Sequence, residues 1–184
     1  MEIIIIVILF QEEIKEAIEG LGNFGFLKDK KQTKFNFADE LADVTFALGA
    51  KKTGALICIK RKDSLTSYTK NAIKVEADFS KYLVESIFNK QSPLHDGSII
   101  INGSKITHAS TYFPITVDIT NDKELGTRHR AAMTLSKEVD AFIIIVSEET
   151  GKISISVDDK LYRNIDKEFL GELLLEKTSG SVYV

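Results

Sequence analysis

The segment Ser92-Pro-Leu-His-Asp-Gly-Ser98 places an imidazole beside a carboxylate, directly before an apolar run. Asp96 can bind a metal ion or accept a proton, and His95 can bind a metal ion or a phosphate. Gly97 carries no side chain, so a ligand can approach the backbone closely there. The same residues also fit an ordinary turn, in which Asp96 caps the backbone and Gly97 takes a positive φ angle.

A second cluster, Leu125-Gly-Thr-Arg-His-Arg-Ala-Ala132, is predicted to begin a helix. The first turn of a helix carries free N–H groups and the positive end of the dipole, so cations there need an anion to offset them. This pattern indicates a phosphate site, and a solvated basic patch or ion pairs to the preceding acidic loop are the alternatives. The residues that would hold the phosphate share this turn: Gly126, Thr127, Arg128, His129 and Arg130.

Ser147 and Glu148 follow the apolar run 141–146. In open α/β sheets, ligands gather beyond the carboxyl ends of the strands, so these two side chains can meet a phosphate or its metal ion. Taken alone, these residues favour a polar hairpin turn over a ligand site.

An aromatic pair, Tyr112 and Phe113, leaves the end of another predicted strand. Tyr112 can stack on a base, since every base has a π-face, whereas core packing is the alternative for either ring. His108 is expected to be structural or exposed. Cys58 lies in an apolar strand and is expected to be a packed core thiol. Together, the four groups offer an acid, a base, metal ligands and phosphate-binding side chains. This set suits nucleotide chemistry but does not identify the reaction.

The elements that must position these residues alternate between helix and strand. Strands are predicted at 54–60, 73–77, 98–101, 105–112, 141–146 and 152–157. Helices are predicted at 12–21, from an Asn36 cap to Gly49, from Asp78 or Ser80 onward, at 126–137, and after an Asp166 cap. Asn102-Gly103 is a strong hairpin signal. This order predicts an α/β fold: a single domain with a central mixed β-sheet flanked by helices.

The composition agrees with one globular domain. The chain has 184 residues, of which 43% are hydrophobic and 28% charged, so it is neither disordered nor a disulfide scaffold. With 24 basic and 27 acidic residues, the net charge is −3, which argues against a nucleic-acid-binding role. A single cysteine fits a reducing compartment.

The apolar run from Ile3 to Phe10 is shorter than the roughly 20 residues that a spanning helix needs. It also lacks the basic start and cleavage site of a signal peptide. The run is therefore either a buried strand or the remnant of a longer membrane segment, and the chain as given is expected to be soluble.

The order and separation of three motifs resemble the diadenylate cyclase domain: Pro93-Leu-His-Asp-Gly-Ser98, Gly126-Thr-Arg-His-Arg-Ala-Ala132 and Ser147-Glu-Glu-Thr-Gly151. The hallmarks of that family are an Asp-Gly-Ala and an Arg-His-Arg motif, and here Ser98 replaces the alanine. Phe10-Gln-Glu-Glu-Ile-Lys-Glu-Ala-Ile-Glu19 and Thr53-Gly-Ala-Leu-Ile57 resemble the CdaA-type, membrane-associated class. The resemblance covers about residues 10 to 165.

The resemblance implies an enzyme that condenses two ATP into cyclic di-AMP and releases two pyrophosphates, with the active site between two face-to-face subunits. It implies a homodimer or higher oligomer, an apolar segment at 1–9 and a catalytic domain at 10–184. The domain would be cytoplasmic and tethered to the inner face of the membrane, with membrane partners that regulate it. The alternatives are a non-catalytic ATP-binding regulatory module and an enzyme acting on another nucleotide.

The resemblance also implies residue roles. Asp96 and Gly97 would be catalytic together with the Arg-His-Arg residues 128–130. Tyr112 would stack on adenine, and the backbone near Phe113 would read its edge. Mn²⁺ or Mg²⁺, with Co²⁺ as a further candidate, would bind His95, Asp96 and Glu148. The residues implied to contact the phosphates are Gly126, Thr127, Arg128, Arg130, Ser147 and Glu148.

Overall fold

A computed structural model describes residues 37–115 and 126–177. Its strands are β1 (Ala55–Lys60), β2 (Ile73–Asp78), β3 (Ser98–Asn102), β4 (Lys105–Thr111), β5 (Ala141–Val146), β6 (Ile153–Val157) and β7 (Lys160–Arg163). Its helices are α1 (37–50), α2 (Lys81–Ile87), α3 (Thr127–Glu138) and α4 (Lys167–Lys177).

The seven strands form one sheet in the order β2-β4-β3-β1-β5-β6-β7. Strands β1 and β3 run parallel, and every other neighbouring pair is antiparallel. The predicted α/β fold with a central mixed sheet is therefore confirmed. Parallel neighbours require a crossover, and here α2 lies in the chain between β1 and β3.

The central strands are buried because helices cover both faces of the sheet. In β5, all six residues are buried, and successive side chains point to opposite faces. Phe142 and Ile144 join a core with α1, α2 and α4, whereas Ile143 joins a second core with α3. Continuous apolar runs such as this one are typical of strands covered on both faces.

Several local predictions are confirmed. Asn102-Gly103 connects β3 to β4, and Gly103 has a φ of 62°. Asp166 accepts a hydrogen bond from the backbone N–H of Phe169 at 2.8 Å, as expected of a helix cap. Cys58 is fully buried, and burial raises the pKa of its thiol to about 12. Such a thiol is inert at neutral pH.

The short edge strand β7 was not predicted. Its four residues carry a lysine and an arginine, and neither end of the strand is buried. Charged side chains and short length are common in edge strands, but they leave no alternating apolar pattern to read.

Four predicted features lie outside the described residues: the apolar run at 3–10, the helix at 12–21, the Asn36 cap, and the loop at 116–124 that precedes the Arg-His-Arg motif. The division of the chain into 1–9 and 10–184 therefore stays a prediction. Within residues 37–115 and 126–177, no helix combines the length and apolar character needed to cross a bilayer.

Replacing Thr111 by valine is expected to stabilise the protein. Thr111 is fully buried, and within the described part of the chain its hydroxyl has no hydrogen-bond partner. An unsatisfied buried hydroxyl costs about 1–3 kcal/mol, so its removal should raise the free energy of unfolding by about 1 kcal/mol in urea titrations. Thr45→Val is the control, because the Thr45 hydroxyl donates to the Leu41 carbonyl at 2.7 Å. It should destabilise; a loss of stability in Thr111→Val would contradict the prediction.

Candidate active site

A cavity of about 600 Å³ opens beside the start of α3. Residues from all four motifs line it, although these motifs are spread over more than 50 positions of the sequence. The predicted site residues in its wall are His95, Asp96, Gly97, Tyr112, Phe113, Thr127, Arg128 and Glu148.

The strand order explains why these segments meet. Ala55 at the start of β1 pairs with Val146 at the end of β5, so the segment before β1 lies beside Ser147 and Glu148. Ser98 at the start of β3 pairs with Thr111 at the end of β4 in the same way. The cavity therefore lies at one end of the inner strands, where β1 and β3 begin and β4 and β5 end.

The Asp96 carboxylate is held by two hydrogen bonds. Its Oδ1 accepts from the backbone N–H of Gly97, and its Oδ2 accepts from the Tyr112 hydroxyl, each at 3.0 Å. Tyr112 remains 61% exposed. This aromatic residue thus orients the carboxylate while presenting apolar surface to the cavity.

The backbone conformation at position 97 requires a glycine. Its φ of 85° lies in the left-handed region, where a side chain is strained. A Cβ at this position would lie 2.8 Å from the Thr111 carbonyl oxygen. The close approach keeps the turn that carries Asp96 against the end of β4.

The His95 ring has a defined tautomer in this arrangement. Its Nδ1 lies 2.6 Å from the Ser92 carbonyl oxygen. Because a carbonyl oxygen can only accept, Nδ1 carries the proton and the neutral ring keeps a lone pair on Nε2. That nitrogen can accept a hydrogen bond or bind a metal ion.

Arg128 and Glu148 both line the cavity and form an ion pair, with the Arg128 Nη1 2.9 Å from the Glu148 Oε2. The Arg128 side chain is 20% exposed and the Glu148 side chain 58% exposed. Gly54 makes room for the pair: a Cβ there would collide with the guanidinium and lie 2.9 Å from the Glu148 Cβ. The glycine before β1 is therefore part of the site.

The N-terminus of α3 supplies further donors. Gly126 is its N-cap residue, with no side-chain cap and no acidic residue in the first turn. Free N–H groups at such an end, with the helix dipole, favour a phosphate. Thr127 and Arg128 from this turn line the cavity, as expected for a phosphate site.

Four predicted residues do not line this cavity: Gly126, His129, Arg130 and Ser147. A helical step of 100° turns His129 away from Arg128, and its Nε2 lies 3.3 Å from the Ser154 hydroxyl on β6. Burial, followed by the charge of Arg163, lowers the pKa of His129 and favours the neutral ring. The Ser147 hydroxyl accepts from the Thr150 N–H at 3.2 Å, so it shapes the turn that carries Glu148.

The cavity also has wall residues that the sequence did not indicate. Several adjoin the motifs without carrying their polar groups, and apolar side chains among them, such as Leu56 and Ile115, offer a surface for a base. Thr53 and Gly54 belong to a segment that carried part of the resemblance, but no role in the site was predicted for them. These wall residues are Thr53, Gly54, Leu56, Phe88, Lys90, Thr111, Ile115 and Ala131.

A divalent ion fits this donor set only with help from a substrate. His95, Asp96 and Glu148 offer an imidazole and two carboxylates, which suit Mn²⁺ or Mg²⁺. Among the described residues, however, no three His, Cys, Asp or Glu side chains converge as a ready metal site. Ions of this kind often take one or two carboxylates and complete their coordination with phosphate oxygens and water.

Replacing Gly54 by alanine is expected to weaken the binding of ATP, the ligand that the sequence resemblance implies, about 10-fold, because the new methyl group displaces the Arg128 guanidinium and costs roughly one charge-assisted hydrogen bond. Isothermal titration calorimetry measures this. Gly171→Ala is the matched control, since a Cβ there meets nothing within 4 Å. It should stabilise α4 and leave ATP binding unchanged. Equal ATP affinity in Gly54→Ala and the wild type would remove Gly54 from the site.

Comparisons with known proteins agree with the geometry. Residues 43–161 match the DAC family model, described as DisA bacterial checkpoint controller nucleotide-binding. A diadenylate cyclase of Listeria monocytogenes is 35% identical over 94% of this chain, and the cyclic di-AMP synthase CdaA of Bacillus subtilis is 34% identical over 92%. The chain spans 64% and 63% of those two proteins.

Solved structures give the same result for the fold. The crystal structure of a double cysteine mutant of DacA from Staphylococcus aureus superposes with a TM-score of 0.75 and 37% identity, over 81% of this chain and 97% of that one. A hypothetical membrane-spanning protein of Bacillus cereus gives a TM-score of 0.63, over 68% and 62% of the two chains. The family match covers more than half of the sequence and includes the motifs around Asp96, Arg128 and Glu148, so the chain belongs to the diadenylate cyclase domain family.

Proposed function

We propose that this protein is a diadenylate cyclase, which condenses two ATP into cyclic di-AMP and releases two pyrophosphates. The observation that carries the proposal is the convergence of Asp96, the first turn of α3 and the Arg128–Glu148 pair on one cavity. The printed names of the relatives support the same reaction.

The cavity has two chemically different parts that match a nucleotide. Tyr112, Phe113 and the apolar side chains beside them offer a surface for adenine. Thr127, Arg128 and the open N-terminus of α3 offer donors for the phosphates. A volume of about 600 Å³ lies within the range typical of small-molecule sites.

In the proposed reaction, the 3′ oxygen of one ATP forms a bond to the α-phosphorus of the other, and the bond from that phosphorus to the β-phosphate oxygen breaks. Pyrophosphate leaves with the bonding electron pair. Asp96 helps to activate the attacking hydroxyl, whose proton passes to the carboxylate or to solvent. Arg128 and the α3 N–H groups stabilise charge on the phosphate. A divalent ion held by Asp96, with Glu148 and His95, would supply further charge neutralisation.

Two ATP molecules must face each other, and the described part of one chain offers one cavity with these groups. A two-fold dimer brings two cavities together and makes the two attacks equivalent. Positioning of this kind lowers the barrier because it removes the entropy cost of bringing the two reactants together. The proposal therefore includes a homodimer, or a higher oligomer built from such dimers, as the active form.

The proposal places the domain in the cytoplasm, held at the inner face of the membrane and regulated by membrane partners. The apolar segment at 1–9 and the Bacillus cereus neighbour, described as membrane spanning, support this part. Fractionation of cells that express the natural protein tests it: recovery in the membrane fraction is expected, and recovery in the soluble fraction alone would contradict it.

The reaction is tested by incubating the purified chain with ATP and Mn²⁺ and identifying the products by mass. Cyclic di-AMP is the expected product. ADP or AMP would indicate another nucleotide reaction, and ATP binding without any product, even at high protein concentration, would indicate a regulatory module. Each of these results would overturn the proposal.

The face-to-face arrangement makes activity depend on protein concentration. A monomer binds ATP but has no second nucleotide to attack, so the rate per chain should rise with concentration and level off above the dimer dissociation constant. Parallel measurements by sedimentation and by product formation test this. A rate per chain that stays constant far below that dissociation constant would contradict the dimer.

A further inference from the structure

A second space adjoins the cavity. This side groove has a volume of about 740 Å³, and Lys51, Tyr82, Glu85 and Asn89 are among the residues of its wall. Thr53 and Lys90 line both the cavity and the side groove, so the two spaces share part of a wall. Lys90 therefore borders both the space proposed for the nucleotide and the side groove.

Lys90 differs from two other cations of these walls. Arg128 pairs with Glu148 at 2.9 Å, and Lys51 pairs with Glu85 at 3.0 Å. Lys90 is exposed. Within residues 37–115 and 126–177, the structure gives its ammonium group no ion pair or hydrogen bond. Its charge is thus available to an anion that passes between the two spaces.

A bound triphosphate needs such a charge. The carboxylates of Asp96 and Glu148 line the same cavity and offset part of its positive charge. The first turn of α3 and Arg128 can serve the phosphate that lies nearest to them. The phosphates beyond it carry most of the negative charge of ATP, and a cationic side chain beside them would add to the charge neutralisation by the proposed divalent ion. An ammonium group serves well here because it binds as a point charge on a flexible stem.

We infer that Lys90 binds the β- and γ-phosphates of ATP and that the pyrophosphate leaves through the side groove. This inference rests on the proposed function. When the bond between the α-phosphorus and the bridging oxygen breaks, the electron pair and the new negative charge go to the pyrophosphate. A cation beside that oxygen stabilises the leaving group.

The experiment compares two ligands that differ only beyond the α-phosphate: AMP and the non-cleavable analogue α,β-methylene-ATP. Their affinities are measured by calorimetry for the wild type, Lys90→Gln and Lys90→Arg. Lys160→Gln is the matched control, because Lys160 is also exposed but lies on the edge strand β7. Lys90→Gln should bind the analogue about 10-fold more weakly, the value of one charge-assisted contact, and AMP within about twofold of the wild type.

Lys90→Arg should recover most of the lost affinity, and Lys160→Gln should change neither ligand. Equal losses for both ligands in Lys90→Gln, or no loss for either, would overturn the inference. Inhibition of turnover by inorganic pyrophosphate should weaken in parallel. The two proposals fail separately: a chain that forms no cyclic di-AMP can still show the Lys90 effect on the analogue, and an active cyclase whose Lys90→Gln variant binds the analogue normally refutes Lys90 alone.

Discussion

Replacing Asp96 by asparagine is expected to abolish cyclic di-AMP formation while the protein keeps its fold. The amide has the shape of the carboxylate, and its oxygen can still accept the hydrogen bond from the Gly97 N–H. It cannot take a proton, and it has lost the charge that would hold a divalent ion. General base catalysis alone contributes about 10²–10⁴-fold, so a loss of at least about 10³-fold in kcat is expected.

The affinity of Asp96→Asn for ATP, unlike its catalytic rate, should not fall. Removing a carboxylate from a cavity that accepts a polyanion removes a repulsion. In the presence of EDTA, Asp96→Asn should therefore bind ATP as tightly as the wild type or more tightly. A variant that retains more than about a tenth of the wild-type rate would remove Asp96 from the chemistry, given the size expected for a general base.

Tyr112→Phe separates positioning from chemistry at Asp96. The phenylalanine keeps an aromatic ring in the cavity but removes the hydroxyl that bonds the carboxylate at 3.0 Å. One neutral-to-charged hydrogen bond corresponds to roughly 10-fold in rate, so this variant should lose about 10-fold in kcat with little change in ATP affinity. A loss as large as that of Asp96→Asn would mean that the hydroxyl itself takes part in the reaction.

The sequence predicted the chemistry-bearing motifs better than the cavity that they form. Asp96 and Arg128 stand out because their residue types and local context suit nucleotide chemistry. Gly54 and Lys90 carry no such context, and Gly54 reaches the site because β1 lies between β3 and β5. Strand order depends on pairing over long sequence separation, which local patterns do not encode.

The sequence also could not predict which side chains of the Arg-His-Arg motif face the cavity. The Arg-His-Arg residues form one motif in sequence, but consecutive helical residues point about 100° apart. Arg128 lines the cavity, whereas His129 lies against Ser154 and becomes half-buried. Which member of such a motif faces a ligand follows from how the helix packs on the sheet, and α3 packs through Ala132 and Leu135.

Replacing Arg128 by alanine is expected to weaken ATP binding more than any other change of a single cation in the cavity. The substitution removes a phosphate-binding guanidinium. It also removes the ion-pair partner that lies 2.9 Å from the Glu148 carboxylate, which then faces the phosphates with its charge uncompensated by Arg128. A charge-assisted hydrogen bond is worth about 1.5–3 kcal/mol, and with the added repulsion the loss in affinity should be on the order of 100-fold. Stability should change little, because partly exposed ion pairs contribute about 0–1 kcal/mol.

The two causes can be separated by a double-mutant cycle with Glu148→Gln. If the repulsion contributes, the double variant binds ATP more tightly than Arg128→Ala alone, because the unpaired carboxylate is gone. Arg61→Ala is the control for losing an ion-paired arginine: Arg61 pairs with Asp140 at 3.0 Å and Asp158 at 2.7 Å, at the other end of β1. It should change stability and leave ATP affinity unchanged. ATP affinity within twofold of the wild type in Arg128→Ala would instead mean that the N–H groups of α3 hold the phosphates without this side chain.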